Sequence, residues 1–335
     1  MALSIFEPAV SKVAHGLEGK TIFIYGGNNV GKTFQTVRAR KPFVFACESG
    51  LNALNNVRHH KIVKWADFTK LVNEFTSDKT IEKAKEAYST IIIDEVYASS
   101  LMCQKFVCDV YGNGCISLGA NEDSKVNLYQ IYERIYWEQI QKLTNSGYTV
   151  IFIGHAQEDK NGVIRPKGDK RCISPILDNS DVVAYVASNG VDEDGQVIKS
   201  SAYFAETNMF FARSRYDYMT TMIEEFTIEN LEKAIADAIA KQEEADGIDS
   251  VSFDEQQAFY REEEKKELTY EELQGLLSEW GMKLAEKGYG DELTECVESI
   301  LGVGKKVSQC TPKQVEAMEM VLNNIMTKCE ELGIE

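Results

Sequence analysis

The chain has 335 residues, of which 44% are hydrophobic and 27% are charged, and its formal net charge at pH 7 is −17. This length accommodates one large domain and a smaller one, and the composition is that of an ordinary globular protein. The acidic balance argues against nucleic-acid binding by the whole surface, although a local basic site is compatible with it.

The N-terminal sequence MALSIFEPAVSK has no basic segment followed by an apolar core, which a secretory signal would need. No apolar run of the sequence approaches the length of a membrane span. We therefore expect a cytoplasmic protein without membrane association. The eight cysteines contain no C-x-x-C pair, which favours reduced thiols over a zinc site.

The first strong signal along the chain is the stretch IYGGNNVGKTFQ, from Ile24 to Gln35. It fits G-x-x-x-x-G-K-[ST], a loop whose backbone N–H groups wrap phosphates while Lys32 reaches the β and γ phosphates and Thr33 holds Mg²⁺. An apolar run precedes the loop and a potential helix follows it, as the motif requires. The sequence thus predicts ATP and Mg²⁺ as cofactors. The predicted nucleotide-binding residues are Gly26, Gly27, Asn28, Asn29, Val30, Gly31, Lys32 and Thr33.

Further apolar runs alternate with helical segments and predict the other strands of a sheet. Continuous apolar strands of this kind are typical of a mostly parallel sheet with helices on both faces, so the expected fold class is α/β. The runs are KPFVFACE, HKIVKW, YSTIIIDEV, YTVIFIGH, DVVAYVAS and SAYFAETN. A helix is expected over LYQIYERIYWEQIQKLTNSG, and NGVDEDGQV predicts a hairpin turn between late antiparallel strands.

Three polar residues stand where predicted strands end. Asp94 ends STIIID, where an acid beside the Thr33 hydroxyl is expected to hold Mg²⁺. Glu48 is expected to face the nucleotide, because ligands bind at the carboxyl ends of parallel strands, and to accept a proton from the attacking water. The alternative for Glu48 is a helix cap or a salt bridge. His155 ends VIFIGH and is expected to sense the γ phosphate, the alternative being a structural histidine.

A basic segment, EDKNGVIRPKGDKRCIS, follows His155. We expect it to be mobile rather than helical because Gly162, Pro166 and Gly168 interrupt it. Its cations suit a phosphodiester backbone, and a solvated surface loop is the alternative. The expected DNA-binding residues are Lys160, Arg165, Lys167, Lys170 and Arg171.

The stretch FARSRYD carries Arg213 and Arg215, which point the same way if they lie on a strand. Arginine stabilises charge on a transferred phosphoryl group and can act from a neighbouring subunit, whereas a surface salt bridge is the alternative. The expected catalytic residues are then Lys32, Glu48, Asp94, His155, Arg213 and Arg215.

The sequence changes character near residue 226. TIENLEKAIADAIAKQEEADG predicts an amphipathic helix, and the charged segment after it suits a linker or an exposed helix. Helix starts are then expected at Thr269 and at Thr311 with Pro312. We therefore expect an ATPase core over residues 1–225, an acidic helical linker over 226–267 and a helical C-terminal module over 268–335.

Taken in order, GGNNVGKT, FACESGL, IIIDE, IFIGH and ARSR resemble the core of RecA-type ATPases, in particular the RecA-like phage recombinases and annealing ATPases. The resemblance covers roughly residues 18 to 225, about one domain of ordinary size. It implies that Glu48 is the base, that His155 senses the γ phosphate and that the paired arginines act in trans. It also implies a place in the host cytoplasm.

The same resemblance implies that the flexible segments 111–127 and 157–172 face single-stranded DNA. The first of them departs from the pattern, because Glu122 and Asp123 offset Lys125. FEPA, at residues 6–9, resembles the Phe-x-x-Ala tether of RecA-like filaments. The stretch ILGVGKKVSQCTPKQVEAMEMVLNNI is similar to small helical modules that end other phage single-strand DNA proteins, and a plain oligomerisation module is the alternative.

Three functions follow from these residues. The first is a DNA-dependent ATPase that forms a homo-oligomeric filament or ring on single-stranded DNA and promotes annealing, recombination or replication. The second is a helicase or helicase loader that uses the same core. The third is a nucleotide-switched adaptor without DNA binding, whose acidic C-terminal half recruits a basic partner or a single-strand binding protein. The order of Glu48, Asp94, His155 and the arginines favours the first.

Overall fold

The computed structural model describes residues 10–120, 125–263 and 268–334, so FEPA and the pair Glu122 and Asp123 lie outside the described residues. Contacts divide the chain into a large unit that ends at Phe259 and a small unit that begins at Tyr260. The strands are β1 Thr21–Gly26, β2 Pro42–Ala46, β3 His59–Lys61, β4 Thr90–Asp94, β5 Thr149–Glu158, β6 Ile164–Pro166, β7 Val182–Ala187, β8 Ser201–Tyr203, β9 Arg213–Ser214 and β10 Met222–Ile223. The helices are α1 Lys32–Thr36, α2 Trp65–Thr76, α3 Ile81–Ala87, α4 Val96–Tyr111, α5 Leu128–Thr144, α6 Lys170–Asn179, α7 Ile228–Asp246, α8 Phe253–Glu263, α9 Tyr270–Glu286, α10 Gly290–Leu301 and α11 Val315–Glu331.

The strands of the large unit form one mixed sheet in the order β10-β8-β7-β1-β5-β4-β2-β3, with β6 paired to β5 and β9 to β7. The run from β7 to β3 is parallel throughout, and β6, β8, β9 and β10 pair antiparallel. The predicted α/β class with a mostly parallel sheet is therefore confirmed. The predicted hairpin NGVDEDGQV joins the antiparallel strands β7 and β8.

Alternate side chains of the central strands fill two hydrophobic cores, one on each face of the sheet. Phe23 and Phe152 belong to the core that includes side chains of α2, α4 and α5, whereas Ile22 and Ile151 belong to the core that includes α7. All residues of β1 and β4 are buried. Burial on both faces explains why these strands are continuous apolar runs rather than alternating ones.

Strand β5 lies between β1 and β4, so the strand that ends in Asp94 does not neighbour the strand before the phosphate loop. The register places Gly26 beside His155 and Ala46 beside Asp94. The carboxyl ends of β1, β5, β4 and β2 therefore meet at one edge of the sheet. Ligands of open parallel sheets bind at this edge.

Helix α7 is part of the large unit. Its start is capped by Thr227, whose hydroxyl oxygen accepts the backbone N–H of Asn230 at 3.0 Å, and Gly247 ends it with a φ of 66°. Its inward face is buried in the second core through Ile228, Leu231, Ile235 and Ile239. The structure thus differs from the boundary expected at residue 226, because this amphipathic helix covers the sheet instead of linking two domains.

The small unit is helical and has its own core. Helices α9 and α11 contribute Leu273, Leu277, Leu284, Met318, Val321 and Ile325 to it. Thr269 and Glu272 form the predicted capping box at the start of α9. The start expected at Thr311 opens a 3-10 turn over Pro312–Gln314, and α11 begins at Val315. In the part of the chain that the structure describes, no helix combines the length and apolar character needed to cross a membrane.

Candidate nucleotide site

The phosphate loop connects β1 to α1 at the carboxyl edge of the sheet. Asn29 and Gly31 adopt left-handed backbone conformations, with φ of 60° and 87°, which turn the chain tightly before the helix. Lys32 is buried inside the loop, where its Nζ donates to the carbonyl oxygens of Gly26 at 3.1 Å and Gly27 at 2.6 Å. Burial lowers the pKa of Lys32, and the nearby carboxylates oppose this shift. The helix after the loop is shorter than the sequence suggests, because α1 ends at Thr36.

Thr33 and Asp94, the two residues expected to hold Mg²⁺, meet beside the loop. The Thr33 hydroxyl donates to Asp94 Oδ2 at 2.9 Å. A Cβ at Gly50 would lie 3.3 Å from Asp94 Oδ2 and 3.8 Å from Thr33 Oγ1, so a side chain there would crowd both oxygens. Burial raises the pKa of Asp94, and the Thr33 hydrogen bond opposes this shift. A hydroxyl and a buried carboxylate in contact fit Mg²⁺, which prefers hard oxygen ligands.

Glu48 and His155 are brought together by the sheet. His155 Nε2 lies 3.2 Å from Glu48 Oε1, and both side chains are partly exposed. The buried carboxylate of Glu95 completes a group of three. One possible metal-ligand atom from each of Glu48, Glu95 and His155 lies within 4.8 Å of the other two. Glu95 also caps α4 by accepting the backbone N–H groups of Tyr97 at 3.1 Å and Ala98 at 2.9 Å. Burial raises the pKa of Glu95, and these two hydrogen bonds oppose this shift.

Residues of the phosphate loop line one cavity of about 570 Å³ together with Glu48, Asp94 and His155. Ligand pockets for small molecules commonly enclose about 300–1,000 Å³. The residues around it are Asn28, Asn29, Val30, Gly31, Lys32, Thr33, Phe34, Glu48, Gly50, Ala53, Leu54, Asp94, Ile153 and His155. Residues chosen from four separate segments of the sequence therefore share one pocket with a charge pattern suited to a metal-bound triphosphate.

The basic segment after His155 differs from the mobile loop that the sequence predicts. Strand β5 continues to Glu158, the chain turns and returns as β6, and α6 begins at Lys170. Asp159 Oδ1 stabilises the turn by accepting the backbone N–H groups of Asn161 at 2.8 Å and Val163 at 3.1 Å. The Asn-Gly pair at 161–162 is a hairpin signal that the prediction overlooked.

Acidic neighbours offset part of the charge of this segment. Arg165 Nε donates to Asp159 Oδ2 at 3.0 Å, and another of its nitrogens lies 3.9 Å from Glu206. Arg171 lies 3.7 Å from Asp169. The other predicted DNA-binding residues, Lys160, Lys167 and Lys170, are exposed. The basic side chains therefore belong to a hairpin, to the short connection after it and to the first turn of α6, rather than to one long loop.

The paired arginines lie near the amino-terminal ends of the parallel strands, whereas the phosphate loop lies at their carboxyl ends. Arg213 donates to the carbonyl oxygens of Leu177, Asp178 and Ser180 at 2.9–3.0 Å. Arg215 donates to the Asp178 carbonyl oxygen at 2.7 Å and lies 3.6 Å from Asp181. Both guanidinium groups thus neutralise the carboxyl end of α6, a favourable place for a cation. This position excludes contact with the nucleotide of the same subunit.

The sequence prediction omits two residues of the site, Glu95 and Gly50. Glu95 directly follows Asp94, and an acid at that position is a signal that could have been used. Gly50 could have been suggested by its place after Glu48, since a glycine lets other groups approach closely. Their roles depend on contacts between separate strands, which a linear motif does not contain.

Comparison with known proteins agrees with this geometry. The model of the AAA domain family matches residues 18–216, from just before β1 to just after β9. The chain is also similar to the SPbeta prophage-derived uncharacterized protein YorG of Bacillus subtilis (strain 168), with 49% identity over 325 residues, which cover 97% of this chain and 98% of the relative. The phosphate loop, the Thr33–Asp94 contact and the sheet are those of a P-loop nucleotide-binding domain. The chain belongs to the AAA domain family of P-loop ATPases.

Proposed function

We propose that this chain is a RecA-like ATPase whose hydrolysis of ATP is coupled to single-stranded DNA, in phage recombination, annealing or replication. One observation carries the proposal. Strand β5 bears His155 in the nucleotide cavity and continues without interruption into the basic hairpin. The similarity to a prophage-derived protein supports the phage setting.

In this proposal the phosphate loop binds the triphosphate, and Lys32 stabilises its β and γ oxygens. Thr33 and Asp94 hold Mg²⁺, which supplies charge neutralisation between the phosphates. Glu48 orients a water molecule and accepts its proton, since its exposed carboxylate opens onto the same cavity. His155, in contact with Glu48, responds to the γ phosphate.

A backbone hydrogen bond couples the nucleotide cavity to the basic segment. The N–H of Lys167 donates to the carbonyl oxygen of His155 at 2.8 Å. A shift of His155 on binding or release of the γ phosphate therefore moves Lys167 directly. Because β6 is paired to β5, Lys160 and Arg165 on the hairpin should move with it, and the affinity for a phosphodiester backbone changes.

In a homo-oligomeric filament or ring on DNA, the end of the sheet that carries the arginines of one subunit would face the nucleotide of the next. An arginine at that edge can then act in trans. Arg215 is the better candidate of the pair, because its side chain is 49% exposed, whereas Arg213 is held by three carbonyl oxygens.

The test is ATP hydrolysis with and without single-stranded DNA, with the Lys32→Ala variant as the blank. We expect DNA to stimulate the wild-type rate several-fold and to leave the blank at background. A variant with alanine at the five basic positions of the hairpin and α6 should hydrolyse ATP but lose the stimulation. An ATP hydrolysis rate that DNA does not change would exclude the proposed coupling, and so would stimulation that remains in the five-fold variant. Either result would favour a motor or an adaptor that acts on another protein.

A further inference from the structure

Two aromatic rings lie under the cations that follow the hairpin. Lys167 Nζ is 4.8 Å from the centre of the Tyr97 ring, and the guanidinium carbon of Arg171 is 4.5 Å from the centre of the Tyr129 ring. Tyr97 is in the first turn of α4 and Tyr129 in the first turn of α5. Three separate elements therefore converge to build alternating aromatic and cationic groups on one surface.

Both rings of this surface are accessible in part, since Tyr97 is half-buried and Tyr129 is exposed. Tyr129 is 37% exposed, and Tyr111 at the end of α4 and Ile116 between α4 and α5 are 43% and 96% exposed. Single-stranded nucleic acids are bound where cations track the phosphates and aromatic side chains stack on the bases. The combination on one face matches this chemistry better than it matches a simple salt-bridged surface.

We propose that Tyr97 and Tyr129 form the base-stacking part of a single-stranded DNA site, with Lys167 and Arg171 beside them for the phosphates. This inference rests on the proposed DNA-coupled function and names a part of its binding surface that charge alone does not indicate. Such a surface would let an acidic protein bind DNA, because base stacking does not depend on net charge.

The site is connected to the nucleotide cavity through Tyr97. The Tyr97 backbone N–H donates to Glu95, and its ring lies against Gly168, where an added Cβ would be 3.7 Å from the ring and 2.6 Å from Ile173. Lys167, next to Gly168, is bonded through its backbone to His155. A change at Glu95 or His155 would thus alter the spacing between the Tyr97 ring and the Lys167 cation, and with it the room for a base.

The test compares the affinity of the full chain, with ATP and Mg²⁺, for two oligonucleotides of equal length. One is oligo-dT, and the other is abasic and offers the sugar-phosphate chain alone. Stacking of a base on an aromatic ring supports a preference of roughly 5-fold or more for oligo-dT. Tyr129→Leu and Tyr97→Leu should each reduce this preference while leaving the affinity for the abasic strand unchanged, and Tyr129→Phe should retain it.

The outcomes separate the two proposals. Equal wild-type affinity for both strands, or an unchanged preference in both leucine variants, would overturn the stacking site while leaving the DNA-coupled ATPase intact. Absence of binding to either strand would overturn both. A stronger affinity for the matching oligo-U RNA than for oligo-dT would overturn the assignment to DNA. Thermal unfolding of each variant checks that the fold is retained, and Tyr129→Phe serves as the matched control.

Discussion

His155 Nε2 lies 3.2 Å from Glu48 Oε1, although 107 positions separate the two residues in the chain. The contact joins His155 on β5 to the segment after β2, with β4 and its Asp94 between these strands. In the proposed mechanism this contact joins the residue that accepts the proton to the residue that responds to the γ phosphate. Substitution can test the catalytic role proposed for Glu48 separately from nucleotide binding.

Glu48→Gln should lower the rate of ATP hydrolysis by about 100-fold or more while ATP still binds, because general-base catalysis typically contributes about 10²- to 10⁴-fold. The amide keeps the shape and polarity of the side chain but cannot take a proton. Glu158→Gln, at the exposed end of β5, is the matched control and should leave basal hydrolysis unchanged. A turnover rate near that of the wild type for Glu48→Gln would remove Glu48 from the reaction.

Asp94→Asn should change the pH dependence of stability in the nucleotide-free protein. Burial raises the pKa of the Asp94 carboxyl above its ordinary value of 3.8, so the folded state binds this proton more tightly than the unfolded state. The resulting stability is present below pH 3.8 and is lost as the pH rises through the folded-state pKa. The variant lacks this loss, so its melting temperature should rise relative to the wild type as the pH increases from acidic to neutral.

Melting curves over this pH range, without nucleotide, measure the effect of Asp94→Asn. Asp217→Asn, at an exposed position, controls for the loss of one negative charge. A difference from the wild type that does not change with pH would contradict the assignment of the raised pKa to Asp94. With Mg²⁺ and ATP added, we expect the order to reverse, because the wild-type carboxylate then gains a metal ligand role that the amide fills poorly.

Arg213→Met should lower the free energy of unfolding by about 2 kcal/mol, because the guanidinium group stabilises the carboxyl end of α6. Arg215→Met is the comparison and should lower the free energy of unfolding by less, because Arg215 donates to one backbone carbonyl whereas Arg213 donates to three. Urea denaturation measures both. If Arg213→Met is as stable as the wild type but cannot hydrolyse ATP, the result would instead indicate that Arg213 acts on the nucleotide of a neighbouring subunit.

A chain that ends after Glu263 should fold and bind ATP. The two cores of the sheet are complete without the small unit, and the division between the units falls at residues 259 and 260. Calorimetry should show a single transition close to that of the large unit in the full chain. Failure of the shortened chain to fold or to bind ATP would show that the small unit is required for the nucleotide domain.

Local features of the sequence determined much of this protein. The phosphate loop is a contiguous motif, and β1, β4 and β5 are recognisable because strands buried on both faces must be apolar throughout. The capping box of Thr269 and Glu272 and the hairpin between β7 and β8 are likewise encoded within a few residues. The same reasoning overlooked the Asn-Gly turn after Asp159, and so described a paired hairpin as a loop.

Only the tertiary structure decided which of these strands, helices and site residues are in contact. Insertion of β5 between β1 and β4 places His155 against Glu48, and pairing of β9 with β7 turns Arg213 away from the nucleotide of its own subunit. Helix α7 covers the sheet although its amphipathic pattern would suit a linker equally well. Strand order and helix docking depend on contacts between residues distant in the chain. A sequence pattern specifies which side chains must be buried, but not which partner buries them.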